Sequence, residues 1–413
     1  MASPHNESVE HTHRAIHGLA IGLWLVLAVV IVGKTVENPK NHSTYPLFRD
    51  ASLVWWDGAN AYDPTLFDSD YRYGPSFAMV LGSIAWLPCR LGAVLWALMN
   101  VGVAFWATRA LAGRVLPGMK SPFAQNLLLA VSVFPSAHCL YSSQTNLLVF
   151  SLVAFAAITI LDERWWLAAL LLAIPVHIKV WPLVGVLLLT ACWPRRLAWR
   201  LPIALAAVAA LPLLVKPPAW VCEQYVQWYR HLTGPAQNRH VSYRDAWMIW
   251  ERMFSSVDPR IYLLLQLTTA AAMLGLCLWQ SYRHPPQRAI LFVLACWTSW
   301  QLVFGPGTER NTFALIAPLT SWAVVVSVLE KRAPWLMGLS YLLTVLAASR
   351  GIENLFPWLK PMHPLGVLLF FAWFLWWNWR ESKIQCVNNP WLEGGALPLS
   401  AGSRSELALQ SVK

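Results

Sequence analysis

The sequence predicts an all-α, polytopic membrane protein with about 12 transmembrane helices. Of its 413 residues, 57% are hydrophobic and only 12% are charged, whereas a soluble chain carries about 25% charged residues. The apolar residues form blocks of roughly 15–22 residues between short polar stretches, which is typical of membrane-spanning helices. Many of the 26 tryptophans occur in pairs at block ends, where the membrane–water interface favours them. This composition excludes a soluble enzyme, a nucleic-acid-binding domain and a secreted disulfide-linked protein.

Each apolar block is interpreted as one span, with boundaries uncertain by several residues. The expected spans are roughly 16–33, 90–112, 123–141, 146–161, 165–178, 180–193, 201–215, 259–280, 289–304, 311–330, 334–350 and 364–379. The blocks 165–178 and 180–193 are short, and we expect a broken pair that lines a cavity. A helix at 76–88 is also too short to cross and should lie on, or dip into, the membrane. We expect residues 1–386 to form a single transmembrane domain and residues 387–413 a polar, disordered cytoplasmic tail.

The orientation follows from the short loops, because cytoplasmic loops are enriched in Lys and Arg. With the N-terminus inside, nearly every inner loop is basic, and this explains the net charge of +11 without a nucleic-acid partner. The pattern predicts a multi-pass protein of the cell inner membrane with both termini in the cytoplasm. The polar segments 34–75 and 216–258 then lie on the periplasmic side, where we expect the active face. The seven cysteines have no metal-like spacing and are interpreted as apolar core residues.

Asp50 is the candidate of greatest interest in the first outer segment. It opens a stretch of helical periodicity, so that a helix N-terminus at the membrane surface would keep its carboxylate ionised. Such a group suits a general base that takes a proton from a sugar hydroxyl. The alternative is that Asp50 only caps the helix.

Four motifs in order along the chain resemble glycosyltransferase family 87. The first runs from Arg49-Asp50 through Ala61-Tyr62-Asp63-Pro64 to Tyr73-Gly74-Pro75, where Gly74 replaces the usual first proline of the family pattern. The others are Ser143-Gln144-Thr145-Asn146, His177-Ile178-Lys179 with Pro182, and Asn238 to Ser242 followed by Arg252. One departure is clear: the family commonly has a Ser-Pro-x-x-Trp motif and a histidine near the ninth and tenth spans, and this chain has Gly305 to Asn311 there instead.

The resemblance implies a fold of the GT-C type and an inverting transfer at the outer leaflet. A sugar, commonly mannose in the family, would leave a polyprenyl monophosphate donor and join a hydroxyl of a lipid or glycan acceptor. The residue that matches Asp50 acts as the base in that family. The expected partners are membrane lipids and these two substrates but no nucleic acid, and we expect no cofactor and no metal.

Positive charge is needed where the leaving phosphate develops its charge, and four cations are candidates: Arg72, Lys179, Arg244 and Arg310. Lys179 lies between two apolar runs and either contacts phosphate or snorkels to the interface. Arg310 begins a span, where a helix N-terminus favours phosphate, or else pairs with Glu309. Arg72 either clamps phosphate or is a solvated interfacial residue.

Further candidates for sugar or acceptor contacts are polar side chains of the same outer segments: Tyr73, Gln144, Asn146, His177 and Glu309. Gln144 and Asn146 are alternatively part of a capped turn, with Asn146 as the N-cap, and His177 is alternatively a core histidine. The acids Asp57, Asp63, Asp68 and Asp70 are interpreted as turn and surface residues.

Two functions of other classes remain open at this level. A glycolipid flippase would use the same polar outer vestibule without chemistry. That function would require charged residues within several spans and an internal repeat, whereas the sequence has few charges within its spans and no repeat that we find. A non-catalytic scaffold has no need of Asp50 or Lys179.

Overall fold

The computed structural model describes residues 4–67, 70–233, 243–254, 258–305, 307–346, 354–356 and 362–388. The described part of the chain is all-α and contains no strand. Its helices in chain order are α1 (Pro4–Glu37), α2 (Tyr45–Trp56), α3 (Pro75–Ala85), α4 (Cys89–Arg114), α5 (Pro122–Tyr141), α6 (Asn146–Leu161), α7 (Trp165–Ile178), α8 (Leu183–Cys192), α9 (Pro194–Leu197), α10 (Arg200–Ala210), α11 (Pro218–Thr233), α12 (Ala246–Phe254), α13 (Pro259–Arg283), α14 (Pro286–Val303), α15 (Ala317–Leu329), α16 (Pro334–Leu346) and α17 (Met362–Asn388). Two 3₁₀ segments, Leu211–Leu214 and Arg310–Ile316, precede α11 and α15.

Six helical stretches of the described chain are long and apolar enough to cross a membrane. They are His13–Glu37, Cys89–Arg114, Pro122–Tyr141, Pro194–Leu214, Pro259–Arg283 and Arg310–Leu329. Helices are also present at the other six predicted spans, but they are shorter or more polar, so a count of about 12 stays a prediction. The described chain is thus that of a polytopic membrane protein.

The exposed surface of the long helices is apolar, as expected where lipid is the solvent. Val29 is 70% exposed and Leu264 is 62% exposed. In the most apolar window of α13, only 11% of the residues are buried inside the protein. In water such a surface would promote aggregation, whereas in a membrane it is covered by lipid tails.

The structure contains the predicted break between two short helices. Helix α7 ends at Ile178 and α8 begins at Leu183, with Lys179 in an extended conformation between them (φ −142°, ψ 145°). Pro175 within α7 and Pro182 before α8 favour this interruption, since proline removes an amide donor and clashes with a continuous helix. Non-helical backbone at membrane depth requires hydrogen-bond partners within the protein.

The predicted short helix at 76–88 is observed as α3, and it packs against α2. Ser52 Oγ donates to the Ala78 carbonyl at 2.6 Å, and Trp56 Nε1 donates to the Met79 carbonyl at 3.2 Å. Tyr45 OH donates to the Ile84 carbonyl. These bonds hold against α3 the face of α2 that carries no acidic residue. The face with the acidic side chain of Asp50 is therefore turned away from α3.

The chain divides into two compact units, one through Phe371 and one from Ala372. Within the second, the rings of Trp373 and Trp377 stack one turn apart with centroids at 6.2 Å. The predicted tail 387–413 falls almost entirely outside the described residues, so the domain boundary at 386 stays a prediction.

Replacing Gly82 by alanine should destabilise the contact between α2 and α3. An added Cβ would lie 2.8 Å from Cδ1 of the Trp56 indole ring, which is held by its own hydrogen bond. We expect a loss of about 1–3 kcal/mol in the free energy of unfolding, measured by thermal unfolding in detergent. Gly113→Ala is the control, since a Cβ there meets no atom within 4 Å. An equal effect of the two substitutions would contradict this packing.

Candidate active site

The start of helix α2 is fixed against the turn formed by residues 142–146. The Thr44 amide donates to the Ser142 carbonyl at 3.0 Å, and its hydroxyl donates to the Ser143 carbonyl at 3.0 Å. Ser43 Oγ donates to Ser143 Oγ, and Trp96 Nε1 from α4 donates to the Ser143 carbonyl. The polar turn between α5 and α6 and the helix that carries Asp50 therefore form one hydrogen-bonded unit.

The turn itself is built by a left-handed residue after α5. Ser143 has φ +56°, and the amides of Ser143 and Gln144 donate back to the carbonyls of Leu140 and Cys139. This is the Schellman arrangement, in which glycine is usual at the left-handed position. Ser143 thus occupies a conformation that glycine adopts without strain.

Asp50 lies in the second turn of α2, so the prediction that it begins or caps this helix is wrong. The helix starts at Tyr45 after Thr44, and Pro46 in the first turn favours that start. The carboxylate is therefore too far along the helix for the positive N-terminus to act strongly on it. Its side chain is 51% exposed and accepts a hydrogen bond from Arg49 Nη1 at 3.2 Å.

A cavity of about 390 Å³ opens beside the start of α2. It contains two of the predicted site residues, Gln144 and Arg310. Its other polar walls include His42, Thr44, His138 and Asn311. Three separate stretches of the chain therefore supply hydrogen-bonding groups and one permanent cation to the same space.

Lys179, Asn146 and Tyr73 form a cluster next to the turn. Lys179 Nζ donates to Asn146 Oδ1 at 2.9 Å and lies 5.2 Å from the centroid of the Tyr73 ring. The ring of Tyr73 packs edge-on against Phe48 of α2, with centroids 4.6 Å apart. The prediction that Asn146 is an N-cap is wrong: Thr145 holds that position and Asn146 is the first residue of α6. Its amide is instead the hydrogen-bond partner of the lysine in the helix break.

Gly74 explains one departure from the family pattern. Its amide donates to the His177 carbonyl at 3.2 Å, a bond that proline could not make. A Cβ at position 74 would also collide with that carbonyl oxygen. His177 in turn holds α10, since its Nε2 lies 3.0 Å from the Leu205 carbonyl. The structure thus gives His177 a contact within the bundle.

Arg72 and Arg244 belong to a second polar layer. Arg72 pairs with Asp70 at 2.9 Å and donates to Tyr243 OH at 3.0 Å. The backbone amide of the buried Arg244 donates to the Thr308 carbonyl at 2.8 Å. Asp70, a predicted surface acid, is therefore engaged with Arg72.

The segment that contains Arg310 follows directly from this layer. Glu309 and Thr312 form a capping box at the start of the 3₁₀ segment Arg310–Ile316. Glu309 is therefore occupied as a helix cap, and Arg310 is the first residue after it.

Aromatic rings support the loop that carries Arg72 and Tyr73. Tyr71 is buried and packs against Tyr62, whose hydroxyl donates to the Tyr73 carbonyl at 2.9 Å. Burial raises the pKa of both phenols well above the ordinary value, so they remain neutral. Burial also lowers the pKa of His231, which lies 6.4 Å from the Tyr62 ring.

Sequence reasoning missed Lys34. Its Nζ donates to the Tyr141 carbonyl at 2.8 Å and lies 4.5 Å from the centroid of the Tyr141 ring, at the edge of the cavity residues. The signal that identified Lys179, a lysine at the end of an apolar block and away from the basic inner loops, would also have found it.

Several predictions fall outside the described residues. These are Asp68, the motif from Asn238 to Ser242, and the side chain of Arg252. Within the described part of the chain, no group of three His, Cys, Asp or Glu side chains is arranged to hold a metal ion.

The strain at Ser143 can be measured with two substitutions that both remove its hydroxyl. Ser143→Ala keeps a Cβ at φ +56°, whereas Ser143→Gly does not. We expect the glycine variant to be more stable than the alanine variant by about 1–2 kcal/mol, measured by thermal unfolding in detergent. Equal stability of the two variants would mean that the turn is not strained.

The comparison with known families agrees with the motifs. The model of glycosyltransferase family 87 matches residues 71–306, more than half of the chain. The match includes Tyr73, the turn with Gln144 and Asn146, and Lys179, whereas Asp50, Glu309 and Arg310 lie outside it. No curated protein matches the chain. On the match over residues 71–306, the protein belongs to glycosyltransferase family 87 and is a membrane glycosyltransferase.

Proposed function

We propose that this protein transfers a sugar from a polyprenyl monophosphate donor to a hydroxyl of a lipid or glycan acceptor at the outer leaflet of the cell inner membrane. The donor sugar is mannose, as is common in the family, and the bundle has the GT-C type of fold. The observation that supports this most strongly is the position of helix α2. Thr44 at its start lines the cavity with Arg310, Phe48 packs against the Tyr73 ring over which Lys179 lies, and the helix carries a carboxylate.

The reaction is a single displacement with inversion. A base removes the proton of the acceptor hydroxyl while its oxygen attacks the anomeric carbon. The bond between that carbon and the phosphate oxygen breaks, and the polyprenyl phosphate leaves with the electron pair. The site must therefore offer a base on the acceptor side and positive charge on the phosphate side.

Asp50 is the base in this proposal. Its ion-pair partner Arg49 lies beside it at a half-exposed surface, where an ion pair contributes less than about 1 kcal/mol. An acceptor hydroxyl can therefore compete for the carboxylate. The buried face of α2, with Phe48 and Trp55, holds the helix rigid while Asp50 faces outward.

Arg310 and Lys179 are the phosphate ligands in this proposal. Arg310 lines the cavity at the start of a helical segment, and guanidinium recognises phosphate through paired hydrogen bonds. Lys179 lies in the helix break, where Asn146 and the Tyr73 ring orient its ammonium group. Two cations arranged before the substrate binds need no reorganisation when the leaving charge develops.

The remaining candidates orient the substrates or support the site. Gln144 lines the cavity and is assigned to a sugar hydroxyl, together with Asn146 and Tyr73. Arg72 and Arg244 are assigned to the polar layer behind Arg310, since contacts with Asp70, Tyr243 and Thr308 already hold them. Glu309 and His177 are assigned positioning roles.

Asp50→Asn should abolish transfer, because the amide cannot accept the proton. Loss of a general base costs about 10²- to 10⁴-fold in rate. The assay uses membranes that express the full chain, a panel of polyprenyl-phosphate sugars and endogenous lipid acceptors. Asp57→Asn is the matched control, since Asp57 is exposed at the other end of α2 and should retain full activity.

Transfer that survives in Asp50→Asn would remove Asp50 as the base but leave the enzyme. Lack of transfer by the wild type with every donor would favour the flippase function, which needs the same vestibule and no chemistry.

Lys179→Met should lower kcat/KM by about 100-fold or more, because it removes a preorganised cation from the leaving phosphate. Lys40→Met is the control, since Lys40 is exposed in the segment before α2. Lys179→Arg should recover part of the loss by restoring the charge. If Lys179→Met has the activity of Lys40→Met at equal expression, Lys179 is only an interfacial residue.

A further inference from the structure

A second cavity lies between α1 and α4, far from the candidate active site. This α1–α4 groove has a volume of about 470 Å³, and its apolar wall includes Trp24, Leu25, Phe105 and Trp106. Trp24 and Phe105 pack edge to face with ring centroids 5.7 Å apart. Leu25 and Trp106 are each 60% exposed, so the groove opens toward the lipid.

A glycine keeps the groove open. Gly102 lies in the middle of α4, and a Cβ there would meet no atom within 4 Å. In a helix a glycine is less favourable than alanine by about 1 kcal/mol. Because Gly102 has no side chain, the groove has room beside it. A larger residue at position 102 would project into the groove.

One end of the groove is polar, and that end carries a cation. Arg109 from α4 and His17 from α1 line the groove together. Asn126 holds His17, with 3.2 Å between Nδ1 and Oδ1. Among the described residues, Arg109 makes no hydrogen bond or ion pair, so its guanidinium remains available to a ligand in the groove.

The dimensions of the groove match those of a lipid chain. From His17 to Ala28 the helix rises about 16 Å, with the polar groups at one end and apolar side chains along the rest. An amphiphile with an anionic head and a hydrocarbon tail fits this arrangement, since Arg favours phosphate and the walls favour methylene groups.

The groove is too distant to hold the reacting donor. Its polar end lies near the start of the apolar stretch of α1 that begins at His13, whereas the cavity beside α2 follows the end of that helix at Glu37. The rise from His17 to Glu37 is about 30 Å, which is the hydrocarbon thickness of a bilayer. A phosphate at Arg109 therefore belongs to the leaflet opposite the candidate active site.

We propose that the α1–α4 groove binds one anionic glycerophospholipid, with its phosphate on Arg109 and His17 and one acyl chain along Trp24 and Phe105. Basic pockets between transmembrane helices bind anionic lipid head groups in this manner. The lipid fills the space that Gly102 leaves and joins α1 to α4. This inference does not depend on the proposed function.

The test is native mass spectrometry of the full chain in mild detergent, with phosphatidylglycerol or phosphatidylcholine of the same acyl chains added. The wild type should retain one phosphatidylglycerol and prefer it to phosphatidylcholine. Arg109→Gln should lower the affinity for phosphatidylglycerol about tenfold, the effect of losing a charged hydrogen bond, and so remove the preference. Gly102→Leu should lose the bound lipid whatever its head group.

Gly113→Leu is the matched control, because Gly113 is a second glycine of α4 whose Cβ would meet open space and it does not line the groove. It should retain the lipid as the wild type does, and thermal unfolding should show that all variants fold. An unchanged preference in Arg109→Gln, or equal retention in Gly102→Leu and Gly113→Leu, would overturn the proposal. Displacement of phosphatidylglycerol from the wild type by polyprenyl monophosphate would overturn it as well, since the groove would then hold the donor lipid.

Discussion

The hydrogen bonds between the start of helix α2 and the turn at residues 142–146 are the constraint on which the site depends. Thr44 bonds both Ser142 and Ser143, so that α2 cannot slide along the turn without exposing unsatisfied polar groups. From this turn Gln144 lines the cavity and Asn146 bonds Lys179. A single local fold therefore sets the distance between the two cations that we assign to phosphate and the helix that carries the base.

The break between α7 and α8 is the second element of the arrangement, and the membrane makes it costly unless its polar groups find partners. The Lys179 ammonium bonds Asn146, and the His177 carbonyl accepts the amide of Gly74. These bonds come from two loops on the predicted outer side, which explains why the break and the loops must be formed together. A proline at position 74 would leave that carbonyl without its donor, so the departure from the family pattern has a physical reason here.

Much of the fold could be predicted from composition and periodicity, because a helix that crosses lipid must be long and apolar. The broken pair and the short helix before α4 were found for the same reason, since their apolar runs are too short to span. The predicted start of α2 is wrong because the helical periodicity after Asp50 is visible in the sequence, whereas the contact of Thr44 with a turn about 100 residues away is not. Lys34 was missed although it carries the same signal as Lys179. The hydrogen bonds from Lys179 to Asn146 and from Arg72 to Tyr243 join residues that are far apart in the sequence, so they could not be predicted from the motifs that contain Asn146 and Arg72.

The central claim is that Arg310 and Lys179 receive the donor phosphate beside α2, and a structure of the full chain with polyprenyl monophosphate tests it most directly. The account predicts phosphate density within hydrogen-bonding distance of both the Arg310 guanidinium and the Lys179 ammonium, next to Gln144. Phosphate bound outside the cavity and away from the helix break, for instance beside Arg109, would contradict it.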